Sequence, residues 1–188
     1  MAGTLAVLPE SVGPDSPRRA VRALQVRLAR LGYVAGRFDA RTGRAVLAFR
    51  KVTGMARLPV ASQPVMRALA LGRGAWAVRF RRHGRHVEAD LGRQVLALIG
   101  RGGRVLAIYP TSPGTPTIRG SFRVYRKDRG TNAIGMVHSS YFRGGYAVHG
   151  YPSVPTYNAS HGCLRVPVPD ALRIFRWMRM GTRVDVYA

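Results

Sequence analysis

Apolar residues first recur along this chain at helical spacing. Val21, Leu24, Leu28 and Leu31 fall on one face at intervals of three and four, so the spacing predicts a helix from Arg18 that Gly32 ends. A second helix, capped by Asp39 or Thr42, buries Val46 and Phe49, and a third fits Gln63 to Leu71 after Pro59 and Ser62. Beyond Gly72 to Phe80, which reads as a linker, the period changes to two. His86 to Leu91 alternates, Gln94 to Ile99 follows, and Gly102-Gly103 turns the chain into Arg104 to Tyr109. Pro110 to Gly120 is a Pro/Thr/Gly loop, Ser121 to Tyr125 another strand, and Tyr146 to Gly150 alternates again. Asp170 to Arg179, preceded by Pro169, is the one helix of this half, and Val184 to Tyr187 the last strand.

The expected fold class is therefore α+β: a small three-helix module, then a mainly β domain with one substantial helix. Residues 1–17 read as a flexible tail, 18–72 as the helical module, 73–84 as linker and 85–188 as the β domain. With 188 residues and 46% hydrophobic side chains the chain can close two modest cores, which excludes a wholly disordered protein.

Composition adds a net charge of +23, carried almost entirely by arginine, since Lys51 and Lys127 are the only lysines. Such a surface suits polyanions, whether nucleic acid, anionic wall polymers or lipid headgroups. No reading helix or aromatic platform supports nucleic acid. A single cysteine excludes an internal disulfide and a thiolate-rich zinc site. Residues 1–20 show no signal peptide, and no segment reaches the run of about eighteen apolar residues a membrane span needs.

The lone cysteine stands in Ser160-His161-Gly162-Cys163-Leu164-Arg165. A neutral thiol is a weak nucleophile, so a base must take its proton. Of five histidines, His149 is placed best: it ends the run Tyr146-Ala147-Val148-His149-Gly150, and the proline-stiffened stretch 151–159 can return the chain to it. Proton transfer would give a thiolate–imidazolium pair, and the surrounding arginines, Arg165 included, would lower the thiol pKa. The Gly150 carbonyl can orient the base. Gly162 permits a turn in which its own N–H and that of Cys163 converge as an oxyanion hole. Taken alone, a single cysteine is more often a small buried hydrophobe than a nucleophile, and His83 with His86 more often a solvated turn than a metal pair.

The stretch VHGYPSVPTYNASHGCLR resembles the His-Gly…Ser-His-Gly-Cys-hydrophobic-Arg signature of the L,D-transpeptidases, the YkuD-like catalytic domain. The likeness runs from about His86 to Ala188 and implies a β-sandwich or barrel. It also implies Cys163 as nucleophile, His149 as base and Gly150 as the orienting carbonyl. His161, Gly162 and Cys163 would line the oxyanion hole, and Ser160 and Arg165 would shape the site or hold a substrate carboxylate. Tyr141 and Tyr146 would belong to the acyl-donor groove.

Residues 18–72 are similar to the three-helix peptidoglycan-binding domain, on Leu31-Gly32-Tyr33, Phe38-Asp39, Thr42-Gly43 and Phe49, though Asp39-Ala40 stands where that family has Asp-Gly. The two resemblances imply a wall cross-linker outside the cytoplasm that joins stem peptides 3→3 and releases D-alanine. It would need no metal or organic cofactor and would be acylated by carbapenems. Alternatives are an L,D-carboxypeptidase and a catalytically silent wall-binding protein.

Overall fold

The computed structural model describes residues 11–13, 15–34 and 40–188. The chain divides into two compact units, Met1–Ala75 and Trp76–Ala188.

In the first unit α1 (Arg18–Arg30) buries Leu24 and Leu28. It closes in a Schellman turn: Gly32 sits at φ +91°, its N–H bonds Ala29 O, and the Tyr33 N–H bonds Leu28 O. Only glycine takes that backbone geometry freely. The second helix, α2 (Ala40–Val52), starts ahead of Thr42, so Thr42 is no cap. It is fully buried and instead accepts a hydrogen bond from Gln25 Nε2 at 3.2 Å, tying α2 to α1. Asp39, the other expected cap, lies outside the described residues.

α3 (Gln63–Ala70) contributes Val65, Met66 and Leu69 to the core. Tyr33 meets Phe49 edge to face at 5.5 Å, and the buried Arg50 donates to Val60 O, Ala56 O and Ser62 Oγ, pinning the loop into α3. Within the stretch read as tail, Val12 is buried and bridges Ala61.

The second unit holds two open sheets rather than a closed barrel. The first runs β3-β2-β1-β9-β4, built from β1 (His86–Asp90), β2 (Val95–Ile99), β3 (Val105–Pro110), β4 (Gly120–Arg123) and β9 (Arg183–Tyr187), with β1 and β9 parallel. The second runs β5-β6-β7-β8: β5 (Arg126–Thr131), β6 (Val137–Arg143), β7 (Tyr146–Tyr151) and β8 (Leu164–Pro167), with β7 and β8 parallel. A helix, α4 (Val168–Trp177), packs on β7 so closely that a Cβ at Gly150 would lie 2.6 Å from that of Ala171.

The stretch 73–84 is not a linker past Ala75. Trp76 and Val78 are buried, and Glu88 on β1 accepts bonds from Trp76 Nε1, Arg79 N and Phe80 N at 2.8, 2.9 and 2.7 Å. A buried carboxylate needs such donors, and this segment supplies them. His86 Nε2 adds a fourth contact to Glu88 at 3.1 Å, and His83 bonds Asp185 on β9 at 3.0 Å. The two histidines therefore serve buried acids and form no solvated turn.

Candidate active site

Parallel pairing of β7 with β8 sets Val148 opposite Leu164 and His149 opposite Arg165. One step back, Cys163 falls opposite Ala147, two residues from His149 and on the same face. His149 and Cys163 are thus diagonal neighbours across two strands. Both line a cavity of about 690 Å³ shared with Ile134, Met136, Gly145, Tyr146, Tyr151, Ser160, His161 and Arg165.

Three layers of contact fix the Ser-His-Gly-Cys turn. Ser160 Oγ donates to Cys163 O at 2.6 Å and accepts from the Gly162 N–H at 3.1 Å. Beneath it runs the loop 111–119: Pro113 O accepts from Ala159 and Ser160 N–H, and Ser112 exchanges two backbone bonds with Arg165. Thr117 Oγ1 donates to Gly162 O at 3.0 Å while accepting from the Gly114 N–H. Gly114 comes so near that a Cβ there would lie 2.2 Å from Ser160 O. The Gly162 N–H, expected to join that of Cys163 in an oxyanion hole, is directed to Ser160 Oγ within the turn.

His149 is 3% exposed, and its Nδ1 lies 2.9 Å from Gly150 O. A carbonyl only accepts, so Nδ1 carries the hydrogen and Nε2 is left as the basic nitrogen. Burial, with the charge of Arg165, holds the imidazole below its ordinary pKa despite the Gly150 bond. The Cys163 thiol donates to Gly145 O at 3.6 Å. Burial raises its pKa and outweighs both the Ala147 N–H and Arg165, which act to lower it. The resting pair is consequently neutral thiol and neutral imidazole. Nearby arginine charge favours the thiolate of the expected ion pair, but desolvation opposes ionisation and is the larger effect on both groups.

Arg165 lies over the Tyr151 ring at 4.1 Å, and Tyr151 meets His149 edge to face at 5.8 Å. His161 is exposed at the cavity. Tyr141 does not line the groove: it is 5% exposed, packed with Met136 and Ala147 behind Cys163 and covered by Arg126 at 3.7 Å. Sequence reasoning missed Gly114 and Thr117, although the Thr-Pro-Gly loop that holds them was visible, and it missed Ile134, Met136, Gly145 and Tyr151. Among the described residues no group of three or more His, Cys, Asp or Glu could hold a metal ion, and no helix is long and apolar enough to cross a membrane.

The L,D-transpeptidase catalytic domain family, YkuD, matches residues 84–186. No curated protein matches the chain. Among solved structures, an L,D-transpeptidase from Xylanimonas cellulosilytica is 36% identical over 95% of this chain and 98% of that one, with a TM-score of 0.81. One from Stackebrandtia nassauensis is 17% identical over 95% and 93%, with a TM-score of 0.57, and so shares the fold. L,D-transpeptidase 3 from Mycobacterium tuberculosis, in complex with a faropenem-derived adduct, is 18% identical over 56% and 60%, with a TM-score of 0.50. The cavity with its buried histidine and lone thiol is thus carried by a chain that belongs to the L,D-transpeptidase family.

Proposed function

We propose that this enzyme cross-links peptidoglycan stem peptides 3→3 through a thioester on Cys163. The observation that carries the reading is the placement of Cys163 and His149 on one face of β7 and β8, in one cavity, with Nδ1 of His149 committed to Gly150 O.

The chemistry follows from two neutral partners. Cys163 Sγ attacks the carbonyl of the third stem residue while its proton passes to His149 Nε2. The imidazolium then protonates the leaving amine of D-alanine, and the thioester remains. A side-chain amine of a second stem attacks the thioester and gives its proton to His149; the sulfur departs and is reprotonated. Water in place of that amine makes the same site an L,D-carboxypeptidase. The Cys163 N–H is the backbone donor for the oxyanion, with His161 beside it. Arg165, planar against Tyr151, is placed to receive a substrate carboxylate.

The first unit serves as the wall-binding module, and the site of action is the cell wall, outside the cytoplasm. A penem or carbapenem acylates Cys163 through its strained lactam carbonyl, in line with the adduct on the M. tuberculosis protein.

Incubation with disaccharide-tetrapeptide, followed by mass analysis, tests the proposal. Dimers lacking one D-alanine are expected from the wild type and none from Cys163→Ala. Dimers that persist in Cys163→Ala refute it.

A further inference from the structure

Helix α1 carries five of the chain's arginines and not one acid. Of these, Arg18, Arg19, Arg22 and Arg30 are exposed, and with Val26 and Ala29 they share one face. At 100° per residue the six positions fall within an arc of about 120°, and from Arg18 to Arg30 the stripe runs about 18 Å. None of the four arginines forms an ion pair or side-chain hydrogen bond among the described residues. Arg27, by contrast, folds back onto Ala23 O.

This arrangement works against the helix. Arg18 and Arg22 stand four apart and Arg19 and Arg22 three apart, like charges where a stable surface helix places opposite ones. Arg18 and Arg19 crowd the positive end of the helix dipole, in a first turn that holds no acid and has no side-chain cap. An anion laid along the face removes both penalties.

The occupant's chemistry follows from the side chains. Guanidinium forks match phosphate oxygens in pairs, and a row of them suits a repeating phosphate chain. Val26 and Ala29 are too little apolar surface to enter a bilayer. The face carries no aromatic ring on which bases would stack. We propose that α1 docks a linear phosphodiester polymer of the cell wall, a poly(alditol phosphate), and so holds the enzyme on anionic wall. The choice of a wall polymer over nucleic acid rests on the wall function proposed above.

The test uses the full chain. One variant carries Arg18→Gln, Arg19→Gln, Arg22→Gln and Arg30→Gln. A charge-matched control carries Arg101→Gln, Arg104→Gln, Arg119→Gln and Arg129→Gln, all exposed on the second unit. Circular dichroism verifies folding of both. Binding to poly(glycerol phosphate), to duplex DNA of equal charge and to anionic vesicles is measured against salt. Wild type and control are expected to bind the polymer alike. The α1 variant is expected to bind at least tenfold more weakly, with the slope of log affinity against log salt reduced by roughly three for four lost phosphate contacts.

Equal loss in the control, or no loss in the α1 variant, overturns the proposal; so does tighter binding to DNA or to vesicles than to the polymer. Turnover of a soluble muropeptide is followed in parallel and is expected to be unchanged in the α1 variant. If the wild type lacks that turnover but the polymer result holds, the catalytic reading fails and the docking face stands.

Discussion

The ring of Tyr146 lies against the α-carbon of Gly162, so that a Cβ on that glycine would fall 1.8 Å from the ring edge. Gly162 also sits at φ +129°, a backbone angle that L side chains rarely adopt. Strand β7 thereby helps to set the shape of the reactive turn, together with the close approach of Gly114. The Gly162→Ala variant must displace Tyr146 and strain its own backbone, at about 1–3 kcal/mol for the strain alone. It is expected to lose at least 100-fold in acylation by a carbapenem, read by mass spectrometry, while keeping a folded far-ultraviolet spectrum. Acylation at the wild-type rate would show that the turn tolerates reshaping.

Removing the two reacting groups separates their roles. Cys163→Ala is expected to form no covalent adduct at all, since no other thiol exists. His149→Ala keeps the thiol but removes the proton acceptor, and its acylation rate is expected to fall by about 10²–10⁴. An adduct in Cys163→Ala, or an unslowed His149→Ala, contradicts the assignment.

The pKa directions fix the pH profile. His149 lies below its ordinary 6.5 and Cys163 above its ordinary 9.0, both chiefly through burial. Acylation is therefore expected to rise as pH climbs through a value under 6.5, where the imidazole becomes able to accept a proton, and to hold level to about pH 9. A thiolate–imidazolium site would instead ionise its sulfur at lower pH. Alkylation of Cys163 by iodoacetamide in the wild type should consequently show its inflection above pH 9; an inflection below pH 7 there, lost in His149→Ala, would contradict a neutral resting pair.

The His86–Glu88 pair gives a stability prediction of opposite signs. Burial alone would lower the pKa of His86, but the bonds to Glu88 and Gly84 O, with the charges of Glu88 and Asp185, raise it. Burial alone would raise that of Glu88, but His86, the Phe80 and Arg79 N–H groups and Trp76 lower it. The Glu88 contribution is present above its ordinary 4.5 and lost as pH falls below that; the His86 contribution is present below its ordinary 6.5 and lost as pH rises past it. The difference in melting temperature between wild type and Glu88→Gln should thus peak between about pH 4.5 and 6.5. Breaking a buried pair costs about 3–5 kcal/mol. A difference that is flat with pH would show that the pair is not ionised.

Much of this was legible in the sequence. Alternation exposed β1, β2, β3, β7 and β9 because each carries apolar side chains at period two or in an unbroken run. It failed for β5, whose Arg-Lys-Asp-Arg-Gly-Thr is an exposed strand with the composition of a loop. It also failed for β6, where buried Ser139 and Ser140 stand at core positions and two register shifts break the period. Trp76 read as linker because its partner, Glu88, lies twelve residues on and carboxylates are seldom buried. At the site, the motif marked Cys163 and His149, but their neutral resting state depends on burial, which no spacing encodes. Gly114 and Thr117 lay hidden for a related reason: their role is backbone support for Gly162, from a loop 45 residues away.

Because β7 and β8 point the same way, the chain between His149 and Cys163 must travel back along the sheet before it can pair again. The exposed part of that return tether, ahead of the fixed turn at Ser160, can change in length without altering the ladder that sets base against nucleophile. Insertions among its exposed positions would remodel the cavity mouth while the ladder keeps sulfur and imidazole in step, so selectivity can drift here without disturbing reactivity.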